Sequence, residues 1–178
     1  MKHAQCNHVR VNTSARGLPA DEARSQPVVD AVVGASRALV AMAARSLGAA
    51  GDEVTLAQYR ALVVLASRGP QRVVDLAGYL DVTASTATRM CDRLVRKGLV
   101  HRQRLSSDRR TVRVSISAAG RDLVAAVTQR RRRDVQAIVA RMSAREREQL
   151  VATLRMFADA AGEVPEQDWS LGWGIEHD

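Results

Sequence analysis

A chain of 178 residues that is 46% apolar is long enough to bury the core of one domain or two small ones, and too apolar to stay unfolded. Aromatic residues make up only 3%, so packing must rely on Ala, Val and Leu meeting across helix faces, and an all-β sandwich is disfavoured. The 27 Lys and Arg against 19 Asp and Glu leave a formal charge of +8, which favours a polyanionic partner if the basic residues are gathered in one place and means little if they are scattered.

Two cysteines, Cys6 and Cys91, do not make a disulfide framework. No apolar run is seen to approach the roughly 18 residues of a membrane span, and the first residues lack the apolar stretch of a signal peptide. A cytoplasmic protein without membrane contact is expected.

Residues 1–26 mix His, Asn, Arg, Ser, Gly and Pro without apolar periodicity and are expected to form a flexible leader. From Pro27, the apolar residues Val28, Val29, Val32, Leu39 and Val40 recur at helical spacing. This predicts a helix to about Leu47 within a segment, 27–50, that ends at glycines. Thr55 suits the cap of a second helix that stops at Gly69-Pro70. A short third helix follows through Val73, Leu76, Ala77 and Leu80, and Thr83 caps a fourth from Ala84 to about Lys97, closed by Gly98.

Leu99–Leu105 and Thr111–Ile116 flank the polar turn 106–110, and Val112, Val114 and Ile116 alternate with Arg113 and Ser115, as in a half-buried hairpin with a basic tip. Ser117 opens a long helix to Met142, and Ser143 with Glu146 makes a capping box for a last helix to about Ala161. The tail 163–178, with Trp169 and Trp173, has no strong period and is either disordered or docked on the body.

Three short helices followed by a hairpin give the order of a winged helix-turn-helix over 55–116. At 100° per residue the fourth helix turns Ala87, Met90, Cys91 and Leu94 inward. Ser85, Arg89, Asp92 and Arg96 lie on the opposite face, flanked by Thr86, Thr88 and Arg93. Arginine reaches guanine edges or phosphates, and short hydroxyls bond bases or backbone oxygens at close approach. Thr83 and Ser85 sit at the helix start, where phosphate is favoured. A solvated amphipathic helix shows the same pattern taken alone; the adjacent basic hairpin with Arg109 and Arg110 tips the reading toward duplex DNA. Asp92 is expected to pair with Arg89 or Arg96, and Arg130 to Arg133 to form a solvated patch.

The segments Ser85-Thr86-Ala87-Thr88-Arg89, Asp92-Arg93-Leu94, Lys97-Gly98-Leu99-Val100, Ser107-Asp108-Arg109-Arg110-Thr111 and Ser117-Ala118-Ala119-Gly120 resemble the MarR family of bacterial winged-helix regulators from about Thr55 through Asp122. The resemblance implies a mostly α fold with a two-stranded wing and long terminal dimerisation helices, the last two of them in 117–162. It also implies a homodimer whose two heads read a pseudo-palindromic operator in double-stranded DNA. In the family's Asp-any-Arg wing motif, matched by Asp108 and Arg110, the arginine enters the minor groove and the aspartate supports the turn or the arginine.

The resemblance further implies a repressor released by a small lipophilic or phenolic effector, with Ala38, Met42, Tyr59, Val63 and Arg113 as candidates to border its pocket; a plain core role for these residues is the competing reading. Some relatives sense peroxide through an N-terminal-helix cysteine, but Cys6 lies in the polar leader and Cys91 on an inward stripe. His3, Cys6 and His8 form a weak metal set in a flexible segment, and no cofactor is expected. With no phosphate loop, zinc spacing or Ser-His-Asp constellation, catalysis is the poorer hypothesis. A winged helix for protein contact or non-specific DNA coating is the remaining alternative.

Overall fold

The computed structural model describes residues 19–49, 54–105 and 108–169, with side chains described throughout these except at 19–24, 104–111 and 167. The chain divides into two units, Met1–Val40 and Ala41–Asp178, and the boundary falls within the first helix, α1 (Pro19–Gly48). That helix starts at Pro19, so Pro27 lies inside it rather than in its first turn, and residues 19–26 are helical where a leader was expected. The sequence there is compatible with a helix start: Pro19 is suited to a first helical position, and the acidic residues Asp21 and Glu22 follow it.

A second correction concerns the apolar length of α1. Ser25–Gly48 contains an 18-residue window of mean hydropathy 1.5 and is long and apolar enough, by length and composition, to cross a membrane. The run escapes a search for large apolar side chains because much of it is Ala, interrupted by Asp30, Arg37 and Arg45. Val28, Val29, Val33, Leu39 and Val40 all expose their side chains.

The second unit holds the core. Helix α2 (Leu56–Arg68) opens with a capping box: the Gln58 amide donates to Thr55 Oγ1 at 3.2 Å and the Thr55 amide to Gln58 Oε1 at 3.1 Å. A two-residue strand β1 (Gln71–Arg72) precedes α3 (Val73–Tyr79), and α4 (Ala84–Arg96) follows. Strands β2 (Val100–Leu105) and β3 (Asp108–Ile116) form the wing, then come α5 (Ala118–Val139), α6 (Ala144–Ala160) and a 3-10 turn, Glu166–Asp168.

The turns are closed by one repeated device. After α3, the Asp81 amide bonds Gly78 O and the Val82 amide bonds Ala77 O. After α4, Gly98 bonds Val95 O and Leu99 bonds Leu94 O. After α6, Gly162 bonds Asp159 O and Glu163 bonds Ala158 O. Each pair satisfies carbonyls that the helix end leaves open, and each needs a left-handed residue at the first position. Glycine supplies it twice. Asp81, at φ 51°, supplies it between α3 and α4, since a short polar side chain tolerates that region.

The two wing strands belong to a three-stranded sheet, which a third strand before α3 completes. The sheet order is β1-β3-β2, antiparallel throughout, with Gln71 opposite Val114, Arg72 opposite Arg113, and Arg102 opposite Val114 on the other side. Two residues before a helix carry no alternating pattern, so β1 gives no local signal. Strand β3 also begins at Asp108, inside the polar stretch expected as the turn, and a bulge falls between Arg104 and Leu105. Leu62, Leu65, Leu76, Leu94, Val100, Val114, Val124 and Val127 are fully buried and join α2, α3, α4, the sheet and α5 in one cluster.

The C-terminal segment docks on this body. Glu163 pairs with Arg60 (Nη1 to Oε2, 3.0 Å), Arg68 Nη2 donates to Gly162 O at 2.8 Å, and Glu166 pairs with Arg132 at 2.8 Å. Trp169 packs against the core cluster and donates its indole N–H to Val164 O at 3.1 Å. Of the arginine run 130–133, Arg132 is therefore tied to the tail rather than merely solvated. Trp173 lies outside the described residues.

Candidate nucleic-acid interface

Helix α4 is set by its two faces. Ala87, Cys91 and Leu94 are fully buried and Met90 packs against the core, so the helix is anchored along one stripe. Ser85, Thr88, Arg89, Arg93 and Arg96 are exposed on the other side and Thr86 is half-buried. Burial of the inner stripe orients the outer one without any contact on the outer side being needed.

Several hydroxyls in the outward row already have structural work. Thr83 Oγ1 accepts from the Thr86 amide at 3.3 Å and lies 3.0 Å from Ser85 Oγ and 2.9 Å from Thr86 Oγ1. Thr88 donates to Ala84 O at 2.8 Å, leaving its lone pairs but not its proton for a further partner. Ser85 is exposed at the positive end of the helix, with the Thr83 hydroxyl as its hydrogen-bond partner.

Asp92 does not pair with Arg89 or Arg96. Its Oδ1 meets Arg102 Nη1 of β2 at 2.7 Å, and Arg102 Nη2 also donates to Thr88 O at 3.4 Å. A strand crossing beside the helix brings a guanidinium closer than a neighbouring helical turn does. The consequence is that Arg89 and Arg96 stay outward while the wing is fastened to α4. No periodicity announces Arg102, because the pairing joins two elements.

At the sheet's other edge, Arg72 forms two hydrogen bonds with Asp75, Nε to Oδ2 at 2.6 Å and Nη2 to Oδ1 at 2.7 Å. These hold the Asp75 carboxyl below the usual carboxylate range. Arg68 lies 4.5 Å from the centroid of the Tyr79 ring, a cation–π contact between α2 and α3. Burial pushes the Cys91 thiol up, with Arg102 acting in the opposite direction, so the thiol stays protonated and unreactive at neutral pH.

Asp108, Arg109 and Arg110 lie on the backbone of β3, and their side chains lie outside the described residues. Cys6, His3 and His8 also lie outside them. Of the candidates for a ligand pocket, Met42 and Tyr59 are buried, Val63 is half-buried against the core, Ala38 is exposed in the first unit and Arg113 is exposed on β3. A cavity of about 520 Å³ lies instead between the end of α1 and α5, and none of the five lines it.

The geometry agrees with three comparisons. The family model described as the MarR family matches residues 54–112. A curated relative from Bacillus subtilis (strain 168), the uncharacterized HTH-type transcriptional regulator YpoP, is 37% identical over 68 residues, which span 38% of this chain and 48%, about half, of that protein's length. The crystal structure of RV1404 from Mycobacterium tuberculosis superposes with a TM-score of 0.75 at 36% identity, covering 84% of this chain and 99% of that one. NadR, solved in complex with 4-hydroxyphenylacetate, superposes with a TM-score of 0.59 at 25% identity over 75% of this chain and 92% of its own. With a winged helix-turn-helix head bounded by long terminal helices, and a relative matched over nearly its whole length, the chain belongs to the MarR family of transcriptional regulators.

Proposed function

We propose that the protein is a homodimeric, sequence-specific regulator that binds double-stranded DNA. The observation that carries the reading is the outward row Ser85, Arg89, Arg93 and Arg96 on a helix anchored by Ala87, Cys91 and Leu94. Arginines so held reach guanine edges or phosphates in a major groove, Thr86 and Thr88 offer acceptor oxygens beside them, and Thr83 orders the helix start. Arg109 and Arg110 at the wing extend the contact to the adjacent minor groove, with Asp108 in support; this part rests on the family's wing motif.

Dimerisation is inferred from apolar surface that the described residues leave uncovered. Val135 and Ile138 on α5 and Val151, Leu154, Met156 and Phe157 on α6 are exposed, as are Val28, Val29, Val33 and Val40 on α1. A second copy is the occupant that suits helices bearing charge as well as apolar side chains, and Asp30, Arg37 and Arg45 disfavour α1 as a membrane span. Two heads then read the half-sites of a pseudo-palindrome. Repression lifted by a small lipophilic or phenolic effector is the regulatory mode we assign, by analogy with NadR and its bound 4-hydroxyphenylacetate. A redox mode is less favoured, because Cys91 is fully buried.

Selection of bound sequences from random duplexes, then titration of the enriched site against scrambled DNA at matched salt, tests the reading. A pseudo-palindrome bound much more tightly is expected. Equal affinity for all duplexes overturns it in favour of non-specific coating. Arg110→Ala is expected to weaken operator binding by about 1–3 kcal/mol with the dimer intact.

A further inference from the structure

Helix α6 carries no buried residue, so the body of its own chain covers little of it. The segment that follows it is held far more closely. Gly162, at φ 72°, turns the chain out of the helix, and residues 162–169 run back across α2 and α5. Arg60 on α2 holds both carboxylate oxygens of Glu163, Nη1 to Oε2 at 3.0 Å and Nη2 to Oε1. Arg132 on α5 meets Glu166 Oε2 at 2.8 Å, and Trp169 reaches the core cluster.

Arg68 carries this contact on to the helix-turn-helix. Its Nη2 donates to Gly162 O at 2.8 Å, while its guanidinium lies 4.5 Å from the centroid of the Tyr79 ring at the end of α3. A guanidinium donates along its edge and meets a ring with its face, so one side chain links α2, α3 and the exit from α6. Helix α4 follows α3 after the short turn at Asp81. Arg60 and Glu163 are 103 residues apart in sequence, and Arg68 and Gly162 are 94 apart, so both contacts close long loops between the end of α6 and the head. Each charge pair is exposed and weak alone; together with the ring they define one docked position.

We propose that Gly162–Trp169 is a strap that sets the orientation of the α3–α4 pair relative to α5 and α6, with Arg60, Arg68 and Arg132 as its positioning residues. The inference rests on the DNA-binding reading above. In a dimer built on the terminal helices, the direction in which each head leaves those helices fixes the spacing of the two recognition helices, and paired half-sites are read only at the matching spacing. Releasing the strap leaves the buried cluster of α2, α3, α4, the sheet and α5 in place, so it loosens the direction of the head without unfolding it.

Glu163→Lys combined with Glu166→Lys sets like charges against Arg60 and Arg132 and leaves the outward row of α4 untouched. The added positive charge by itself tightens binding to any duplex. The opposite sign is expected for the selected operator: about fivefold weaker binding, with affinity for scrambled DNA not weakened and cooperative urea unfolding retained. Arg60→Glu alone is expected to lose discrimination in the same way, and Arg60→Glu with Glu163→Arg, which rebuilds the pair at the natural net charge, to regain it. A second readout contains no DNA. With Trp173→Phe, Trp169 is the sole tryptophan, and acrylamide quenching of its emission is expected to rise when the two glutamates are reversed. Quenching that stays unchanged overturns the proposal, as does operator discrimination that survives once Trp169 has become accessible. Equal affinity of the natural protein for all duplexes overturns the DNA-binding reading and this inference together, so the two failures are told apart.

Discussion

Arg102 on β2 meets Asp92 on α4 at 2.7 Å, and through this pair the wing strand is fastened to the helix that presents Arg89, Arg93 and Arg96. Both side chains are about a third or more exposed, at 34% and 42%, so the pair contributes to orientation more than to stability. A double-mutant cycle of Asp92→Asn and Arg102→Gln, read by urea unfolding, is expected to give a coupling of about 0.2–1 kcal/mol. Each single change is expected to reduce discrimination between the selected operator and scrambled DNA. Retained discrimination with the coupling lost would show that the wing needs no such fastening.

Gly120 has a different kind of constraint. A Cβ built there would lie 2.2 Å from the Leu99 carbonyl oxygen and 2.8 Å from Ile116 Cγ1. The same carbonyl accepts from the Ser117 amide at 3.0 Å, while Ser117 Oγ donates to Gly98 O at 2.6 Å. Helix α5 can therefore start against the sheet only if this position lacks a side chain. Gly120→Ala is expected to destabilise by about 1–3 kcal/mol through the clash, against the roughly 1 kcal/mol that alanine ordinarily adds in a helix. Gly78→Ala, with nothing within 4 Å of its Cβ, is the control and should be neutral or stabilising. Equal midpoints in urea for the two variants would contradict this packing.

The docked tail should add stability through its ring more than through its charges. Trp169→Ala is expected to cost about 1–3 kcal/mol, the range for a partly buried large side chain. Glu163→Gln and Glu166→Gln should each change the urea midpoint little at physiological salt, their partners being exposed. The reverse order would mean that the ion pairs hold the tail.

Stability below neutral pH should carry the mark of Asp75. Its carboxyl is held below the ordinary range, first by hydrogen bonding from Arg72, so the folded state binds its proton less readily than the unfolded state does. The contribution is therefore complete above the unfolded value of about 3.9 and is lost as pH falls through the depressed folded value. Asp75→Asn removes it. In urea titrations at a series of acidic pH values, the natural protein should lose more stability on acidification than the variant, and high salt should narrow the gap. Parallel curves would show that the pair has no effect on folding.

Much of this was legible residue by residue. The inward stripe of α4, the caps at Thr55, Thr83, Ser117 and Ser143 and the stop at Gly98 each depend on neighbours within about one helical turn, and local spacing reports such neighbours directly. The start of α1 was missed because Pro27 is as good a first-turn residue as Pro19, and nothing local ranks the two.

What the chain's order of residues determined by itself was the set of elements, the faces they bury and the family to which those patterns belong. Only the tertiary structure decided that Asp92 turns to Arg102, that Gln71 and Arg72 pair with β3, that the tail docks through Arg60 and Arg132, and that Ser46 and Arg130 face one cavity. Periodicity fixes a side chain's direction about its own axis, whereas a contact between elements depends on where two backbones pass each other in space.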